Sequence, residues 1–166
     1  MKLLLIRHAK ADDRDEFAKT GEPDEKRPLA SKGRKEMRAI ARGLESIEPR
    51  IDVLATSPLT RAVETADAIA ETFSSAARET IDALAPDAPF DDFAEWLHGH
   101  SGAALVAAVG HNPHLSELAE WLHGGARSIA MKKGSAMLLE FGESFCAGGA
   151  EFVWYRKPKE LIALAE

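Results

Sequence analysis

Two arginines and two histidines stand close to the ends of apolar runs in the chain. Arg7 and His8 directly follow the run 3–6, while Arg61 and His111 each come soon after a later run. Arginine keeps its charge at any working pH and presents a planar fork of donors that matches a phosphate group. These four residues therefore predict a site for a dianionic phosphoryl group.

The two histidines would have separate roles in such a site. An imidazole between guanidinium groups has its protonated form disfavoured, so we expect it to be neutral before an anion binds. A neutral imidazole with a free nitrogen is a nucleophile near pH 7. Once a phosphoryl group is bound, the second histidine can take up a proton and donate to the developing charge. Because side chains supply the positive charge, we expect neither a metal ion nor another cofactor.

The hydrophobic pattern alternates between strands and helices. Short apolar runs with sharp polar ends predict buried strands, and apolar positions at helical spacing predict helices. The predicted strands cover 3–6, 51–55, 79–84, 103–109, 135–141 and 151–155. The predicted helices run from Ser31 to Pro49, over 59–73, over 90–97, from Pro113 to the Gly124-Gly125 pair, and over 159–165. The polar stretch Asp12–Arg27 is predicted to be a surface loop.

Strand–helix alternation repeated three times is typical of a mostly parallel sheet with helices on both faces. The Gly-rich link 142–149 between the last two strands suits a hairpin, so one strand should run antiparallel. The predicted fold class is α/β. We expect residues 1–166 to form a single-domain three-layer α/β/α sandwich with a mixed, mostly parallel sheet.

Ligands of such sheets bind outside the carboxyl ends of the strands. Three predicted strands end close to the residues above, at Arg7-His8, at 56–58 ahead of Arg61, and at Gly110-His111. The topology therefore brings all four residues to one edge of the sheet. Asn112 is expected to cap the helix that follows His111.

Composition excludes several classes of protein. The chain has 166 residues, which is enough for one good core, and a net charge of -6. An acidic protein is a poor general binder of nucleic acid, which requires basic surface. The apolar run at the N-terminus is too short for a signal peptide or a membrane span, which predicts a cytoplasmic protein. Cys146 is the only cysteine, so an intramolecular disulfide is excluded, and we expect it to be buried or half-buried.

Three blocks of the sequence resemble the histidine phosphatase superfamily, which includes the phosphoglycerate mutases. The run LLIRHAK at 4–10 resembles its Arg-His-Gly signature, ATSPLTRAVETA at 55–66 resembles its second block, and VGHNP at 109–113 its third. The run RPLASKG at 27–33 and the small size of the chain are similar to the SixA-like branch, whose members are phosphohistidine phosphatases.

The resemblance implies a phosphoglycerate mutase-like fold and gives each of the four residues a role. His8 is implied to be the nucleophile, which forms a phosphohistidine intermediate that water then cleaves. Arg7, Arg61 and His111 match the phosphate-pocket positions. Ala9 stands where the superfamily usually has glycine, and alanine is acceptable there if the backbone does not require a positive φ.

The sequence departs from larger relatives at the expected proton donor. Those relatives carry a glutamate or aspartate after the third strand, where this chain reads LAPDAP over 84–89. An alkoxide leaving group needs a general acid, whereas the nitrogen of a phosphorylated imidazole departs more easily. The difference favours a phosphoramidate substrate over a sugar phosphate. Asp87, Asp13 and Glu64 are the candidate donors.

The sequence thus predicts a metal-independent phosphatase that removes phosphate from phosphohistidine in proteins such as phosphotransfer domains. The expected partner is a phosphorylated protein or a small phosphorylated substrate. Two alternatives stay open: a phosphomonoesterase acting on small metabolites such as sugar phosphates, and a non-catalytic module that binds phosphoproteins. A mutase ranks last, because the chain is short for the insertions that close over a bisphosphate.

The other histidines are interpreted as structural or exposed. His98 and His100 are expected in an exposed loop. His114 and His123 are expected at solvated helix positions, although His114 could line the rim of the pocket because it lies one helical turn past His111.

Overall fold

The computed structural model describes residues 1–125 and 127–166. Strands β1 to β6 span Lys2–Arg7, Val53–Thr56, Ala77–Thr80, Leu105–Gly110, Ala136–Phe141 and Ala150–Arg156. Helices α1 to α6 span Arg14–Ala18, Ser31–Ile47, Thr60–Ala70, Phe90–His98, His114–Leu122 and Pro158–Ala163. Single 3₁₀ turns cover Asp24–Lys26 and Asp82–Leu84. Within the described residues, no helix is both long enough and apolar enough to cross a membrane.

All six strands form one mixed sheet in the order β3-β2-β4-β1-β5-β6. Strands β1 to β4 pair in parallel, whereas β5 and β6 join the sheet through antiparallel pairing. The predicted α/β fold class with a mixed, mostly parallel sheet is confirmed, and so is the terminal hairpin.

Strand β1 explains why helices cover both faces of the sheet. Its residues 3–6 are fully buried, and successive side chains of a strand point to opposite faces. Leu4 and Ile6 pack into the core beneath α2, α3 and α6. Leu3 and Leu5 pack into a second core beneath α4 and α5. A strand with two apolar faces thus requires the three layers that the sequence predicted.

Two glycines of α2 allow close backbone contacts. A Cβ atom on Gly43 would lie 1.8 Å from the carbonyl oxygen of Leu161 in α6. A Cβ atom on Gly33 would lie 2.1 Å from the carbonyl oxygen of Lys10. Any larger residue would therefore push these segments apart. Gly33 in this way holds the start of α2 against the segment that leaves β1, beside the carboxyl edge of the sheet.

The third strand lies earlier than the sequence predicted. The prediction placed it at 79–84, whereas β3 spans Ala77–Thr80 and a 3₁₀ turn occupies Asp82–Leu84. The pairing explains the difference, because β3 matches β2 residue by residue and β2 ends at Thr56. Beyond that point the edge strand has no ladder to follow, and Leu84 reaches the core from the turn instead.

The predicted surface loop Asp12–Arg27 contains helical structure. It holds α1 and the 3₁₀ turn Asp24–Lys26, and the side chain of Asp13 caps α1 by accepting from the N–H of Glu16 at 2.9 Å. The hydrophobic pattern could not reveal α1, because none of its residues is buried. The expectation that Cys146 would be buried or half-buried was also wrong, because it is exposed.

Candidate active site

The carboxyl ends of β1, β2 and β4 lie side by side, because β4 pairs with both of the other strands. The hydrogen-bonded pattern continues past β1, since the N–H of His8 donates to the carbonyl of Gly110 at 3.0 Å. A cleft of about 620 Å³ opens at this edge of the sheet. The residues predicted for a phosphate site all line it: Arg7, His8, Arg61 and His111.

His8 is held in one tautomer by the backbone. Its ring is buried, and Nδ1 lies 2.7 Å from the carbonyl oxygen of Ala9. A carbonyl oxygen only accepts, so Nδ1 carries the proton and Nε2 keeps its lone pair in the neutral ring. Burial, and then the positive charges of Arg61 and Arg7, lower the pKa of His8 from 6.5 to about 4, although the bond to Ala9 opposes this.

The Ala9 position tolerates its side chain. Ala9 is buried, its φ is not positive, and its N–H donates to Oγ1 of Thr65 at 3.1 Å. The hydroxyl of Thr65 in turn donates to the carbonyl of Arg61 at 2.7 Å. This chain of bonds ties the segment that follows His8 to the first turns of α3, where Arg61 lies.

His111 faces the first histidine across the cleft, with the two ring centroids 5.2 Å apart. Its Nε2 lies 2.7 Å from Oγ of Ser57, while its buried Nδ1 has no hydrogen-bond partner among the described residues. Burial, and next the proximity of His8 and Arg61, lower the pKa of His111 to about 3. Both imidazoles are therefore neutral near pH 7.

The two arginines come from β1 and from α3, and each is anchored by a backbone carbonyl. Nη1 of Arg7 donates to the carbonyl of Met131 at 2.8 Å. Nη1 of Arg61 donates to the carbonyl of Asp24 at 3.1 Å and lies 3.4 Å from a carboxylate oxygen of the same residue. Burial lowers the pKa of both guanidinium groups below its ordinary value, but arginine stays protonated.

Three buried nitrogens in this cleft lack partners among the described residues: Nε of Arg7, Nε of Arg61 and Nδ1 of His111. A buried donor without a partner is costly, so such groups are normally satisfied by protein, water or ligand. These three belong to three different elements that surround His8. The arrangement fits an anion with several oxygens, such as a phosphoryl group.

Sequence reasoning missed the acidic and basic pair beside Arg61. Arg27 is buried and lines the cleft, where its Nε donates to a carboxylate oxygen of Asp24 at 2.8 Å. Asp24 therefore bridges two arginines, and their charges together with a hydrogen bond from Arg27 lower its pKa. The available signal was the RPLASKG run at 27–33, which begins with Arg27 and resembles the SixA-like branch.

A segment after α5 completes the edge of the cleft. The carbonyl of Met131 accepts from Arg7 and also from Nδ2 of Asn112 at 3.0 Å. The N–H of Gly134 contacts the carbonyls of Arg7 and His8 at 3.1 and 3.2 Å. Asn112 thus fastens this segment. The prediction that Asn112 caps α5 was wrong, because its side-chain amide bonds to Met131 and α5 begins only at His114.

The three candidate proton donors differ in their hydrogen bonds and in their position relative to the cleft. The carboxylate of Glu64 accepts from the N–H of Leu29 at 2.8 Å and from Arg34 at 2.6 Å, so it is fully engaged. Asp87 is exposed and does not line the cleft. Asp13 does line the cleft, although one of its oxygens caps α1.

The remaining histidines also differ from expectation. His114 and His123 are buried rather than solvated, and Nε2 of His114 lies 2.9 Å from the carbonyl of Ala88. His114 is not part of the lining of the cleft. His98 ends α4 and is exposed, whereas His100 is half-buried and lies 3.2 Å from a carboxylate oxygen of Glu79.

Comparison with solved structures identifies the fold. The protein histidine phosphatase SixA in complex with tungstate matches with a TM-score of 0.84 at 24% identity, over 97% of this chain and 99% of that one. The alpha-ribazole phosphatase of Shigella flexneri matches at 0.73 and 15% identity, over 95% and 97%. A phosphoserine phosphatase variant of Entamoeba histolytica, bound to phosphoserine, matches at 0.69 and 14%, over 96% and 98%.

Comparison of sequences identifies the family. An uncharacterized protein of Picosynechococcus sp. is 32% identical in an alignment of 146 positions that covers 86% of this chain and 86% of that protein. The family model of the histidine phosphatase superfamily (branch 1) matches residues 3–86, from β1 to beyond β3. The chain therefore belongs to the histidine phosphatase superfamily and is a phosphatase.

Proposed function

We propose that this phosphatase works through a covalent phosphohistidine on Nε2 of His8. The observation that carries the proposal is the 2.7 Å contact between Nδ1 of His8 and the carbonyl of Ala9. This contact keeps the proton on Nδ1 and directs the lone pair of Nε2 to the substrate. The pKa of about 4 keeps the ring neutral at physiological pH. The nucleophile is thus ready without a separate base.

Arg7, Arg61 and His111 form the phosphate cradle. All three residues line the cleft beside His8, and we expect their side-chain donors to meet the non-bridging oxygens of the phosphoryl group. Donors that are held in place before reaction cost no reorganisation when charge develops in the transition state. Ser57 completes the cradle indirectly, because its hydroxyl contacts Nε2 of His111 and leaves Nδ1 to the anion.

The reaction proceeds in two balanced steps. First, Nε2 of His8 forms a bond to phosphorus while the bond from phosphorus to the leaving nitrogen breaks. A phosphohistidine that is protonated on its other ring nitrogen leaves as a neutral imidazole, so this step transfers no proton. Second, water attacks the phosphorylated His8, the new phosphorus–nitrogen bond breaks, and inorganic phosphate leaves with neutral His8 restored. His111, protonated once the dianion is bound, stabilises charge in both steps.

The substrate class that fits best is phosphohistidine in proteins, such as a phosphotransfer domain in the cytoplasm. A phosphorylated imidazole protonated on its other nitrogen leaves as a neutral ring, so the cleft need not supply a strong acid. Two observations support this class. The carboxylate of Glu64 is bonded to Leu29 and Arg34, and Asp87 lies outside the cleft, so neither is available as a proton donor. An alkyl phosphate would lack the acid that its alkoxide requires.

A phosphomonoesterase acting on small metabolites is the second candidate. One observation favours it: Asp13 lines the cleft and keeps one carboxylate oxygen outside its bond to the N–H of Glu16. If that carboxyl group held a proton, it could donate to a departing alkoxide.

Phosphate release without added metal separates the two candidates. Wild type, His8→Ala and Asp13→Asn would each be offered a protein phosphorylated on histidine and an alkyl phosphate. The proposal predicts fast release from the phosphohistidine protein, lost in His8→Ala and kept in Asp13→Asn, with slow release from the ester. Comparable release from the ester, lost in Asp13→Asn, would favour the metabolite phosphatase. Full release by His8→Ala would remove His8 as the nucleophile.

A further inference from the structure

The cleft carries an excess of positive charge in a protein whose net charge is -6. Three carboxylates of the segment 12–15 also line it, but the cations outnumber them. The cationic residues of the lining are Arg7, Lys10, Arg14, Arg27, Arg61 and Lys133. The charge of the cleft is thus positive although the net charge of the chain is negative, which favours binding of anions at the cleft.

Three of these cations serve no purpose in the proposed chemistry. Lys10, Arg14 and Lys133, here called the rim cations, are exposed. None of them lies within ion-pair distance of a carboxylate in the described part of the chain. Arg27 and Arg61, by contrast, are buried and share Asp24. The rim cations are therefore free to meet a charge that the substrate brings.

Lys133 stands on a segment that is firmly held. Its neighbours Met131 and Gly134 are bonded to the ends of β1 and β4, and the N–H of Lys132 donates to the hydroxyl of Tyr155 at 3.0 Å. Partial burial, and then the positive charges of Arg7 and Arg27, lower the pKa of Lys133. This ammonium group thus sits in the positive field of the site, on backbone that is already ordered.

We propose that the rim cations bind acidic side chains of a protein substrate around its phosphorylated histidine. The proposal rests on the proposed function and names the kind of partner. Lys10 follows β1, Arg14 begins α1 and Lys133 lies between α5 and β5, so the three reach the cleft from separate segments. A metabolite with a single phosphoryl group, such as a simple sugar phosphate, places that anionic group at His8 and has none left for the rim cations, whereas an acidic protein surface can engage all three together. Complementary charge of this kind sets association rate and partner choice.

The test compares two neighbouring lysines on three substrates. Lys133→Glu and the control Lys132→Glu change the same charge one residue apart, but Lys132 does not line the cleft. The substrates are free phosphohistidine, an acidic phosphotransfer domain phosphorylated on histidine, and that domain with its nearby acidic residues changed to amides. Arg14→Glu serves as a second variant, because glutamate is well tolerated in the first turn of a helix.

Lys133→Glu and Arg14→Glu should each lower kcat/KM for the acidic domain by about tenfold at low salt, since reversal replaces an attraction by a repulsion. Because both residues line the cleft, both changes should also lower kcat/KM for free phosphohistidine and for the neutralised domain, but by no more than about threefold, whereas Lys132→Glu should change kcat/KM for every substrate by less than about twofold. The loss should shrink at high salt. Equal losses on all three substrates, no loss on the acidic domain, or an equal effect of Lys132→Glu would each overturn the proposal.

Binding of the unphosphorylated acidic domain separates this inference from the proposed chemistry. Wild type should bind it more tightly than Lys133→Glu does, by about tenfold at low salt. If no substrate releases phosphate but this difference persists, the docking surface stands and the proposed function fails. If phosphate is released and the difference is absent, the proposed function stands and the docking surface fails.

Discussion

The imidazole rings of His8 and His111 lie with their centroids 5.2 Å apart and their planes tilted by 52°. Two charged rings at this separation, beside Arg7 and Arg61, would repel one another in a poorly solvated cleft. Burial and these charges hold the pKa of His8 at about 4 and that of His111 at about 3. Both rings are therefore neutral near pH 7 while the cleft holds no anion.

Sulfate binding should be accompanied by proton uptake. Sulfate stays a dianion across neutral pH, so any proton taken up goes to the protein. The pKa of His111 is about 3 without a ligand, and the bound anion raises it. At any pH between the pKa of the free protein and that of the complex, binding should take up as much as one proton. Sulfate affinity should accordingly weaken as pH rises through that window. Titration calorimetry at pH 6 in buffers of different ionisation enthalpy measures the uptake.

His111→Asn provides the control for this linkage. The variant keeps a polar side chain but has no group that titrates near neutrality, so the dependence of the binding enthalpy on the buffer should fall sharply. An unchanged uptake in His111→Asn would assign the proton to another group. A wild type without uptake would contradict the role of His111 as a donor that is charged only in the complex.

Ser57→Ala should disturb His111 without touching the phosphate. Ser57 is fully buried, and its hydroxyl lies 2.7 Å from Nε2 of His111. Its loss should lower kcat by about tenfold and the free energy of unfolding by about 1–3 kcal/mol, because a buried ring nitrogen is left without a partner. Steady-state kinetics and denaturant unfolding measure the two effects. Ser46→Ala removes a hydroxyl outside the cleft and should leave kcat unchanged; if Ser57→Ala did the same, His111 would be held by other contacts.

The sequence was sufficient to predict the architecture because the four inner strands of the sheet are mostly buried. Unbroken apolar runs such as 3–6 have few other interpretations, and their alternation with amphipathic helices predicts the parallel sheet. The exposed elements were predicted less well. None of the residues of α1 is buried, and β3 is an edge strand that ends where β2 ends, so neither leaves a clear hydrophobic signature.

Arg61→Ala should weaken both oxyanion binding and turnover. Nε of Arg61 is one of the unpartnered buried nitrogens around His8, and loss of one preorganised donor costs about 2.7–4 kcal/mol in the barrier. kcat/KM should therefore fall by a factor of about 10² to 10³. Arg50→Ala removes an exposed guanidinium that pairs with Asp52 and does not line the cleft, so it should have no effect on kcat/KM. A change below about threefold in Arg61→Ala would show that its guanidinium points away from the phosphoryl group.

The residues that support the site could be predicted only in part. Arg7, His8, Arg61 and His111 follow from the rule that ligands bind at the carboxyl ends of strands. Arg27 and Lys133 lie far from those ends in the sequence and reach the cleft through loops, and Asp24 contacts Arg27 and Arg61 from the 3₁₀ turn beside them. Loop paths depend on local contacts, such as that between Asn112 and Met131, which no hydrophobic pattern records.

Trapping the phosphorylated enzyme shows directly whether His8 carries the phosphoryl group during turnover. A protein carrying radiolabelled phosphohistidine would be mixed with wild type for one turnover and quenched in alkali, which preserves phosphohistidine. We expect a transient, acid-labile label on His8 that appears before free phosphate and is absent in His8→Ala. Release of phosphate without a label on the enzyme, or a label on any other residue, would contradict it.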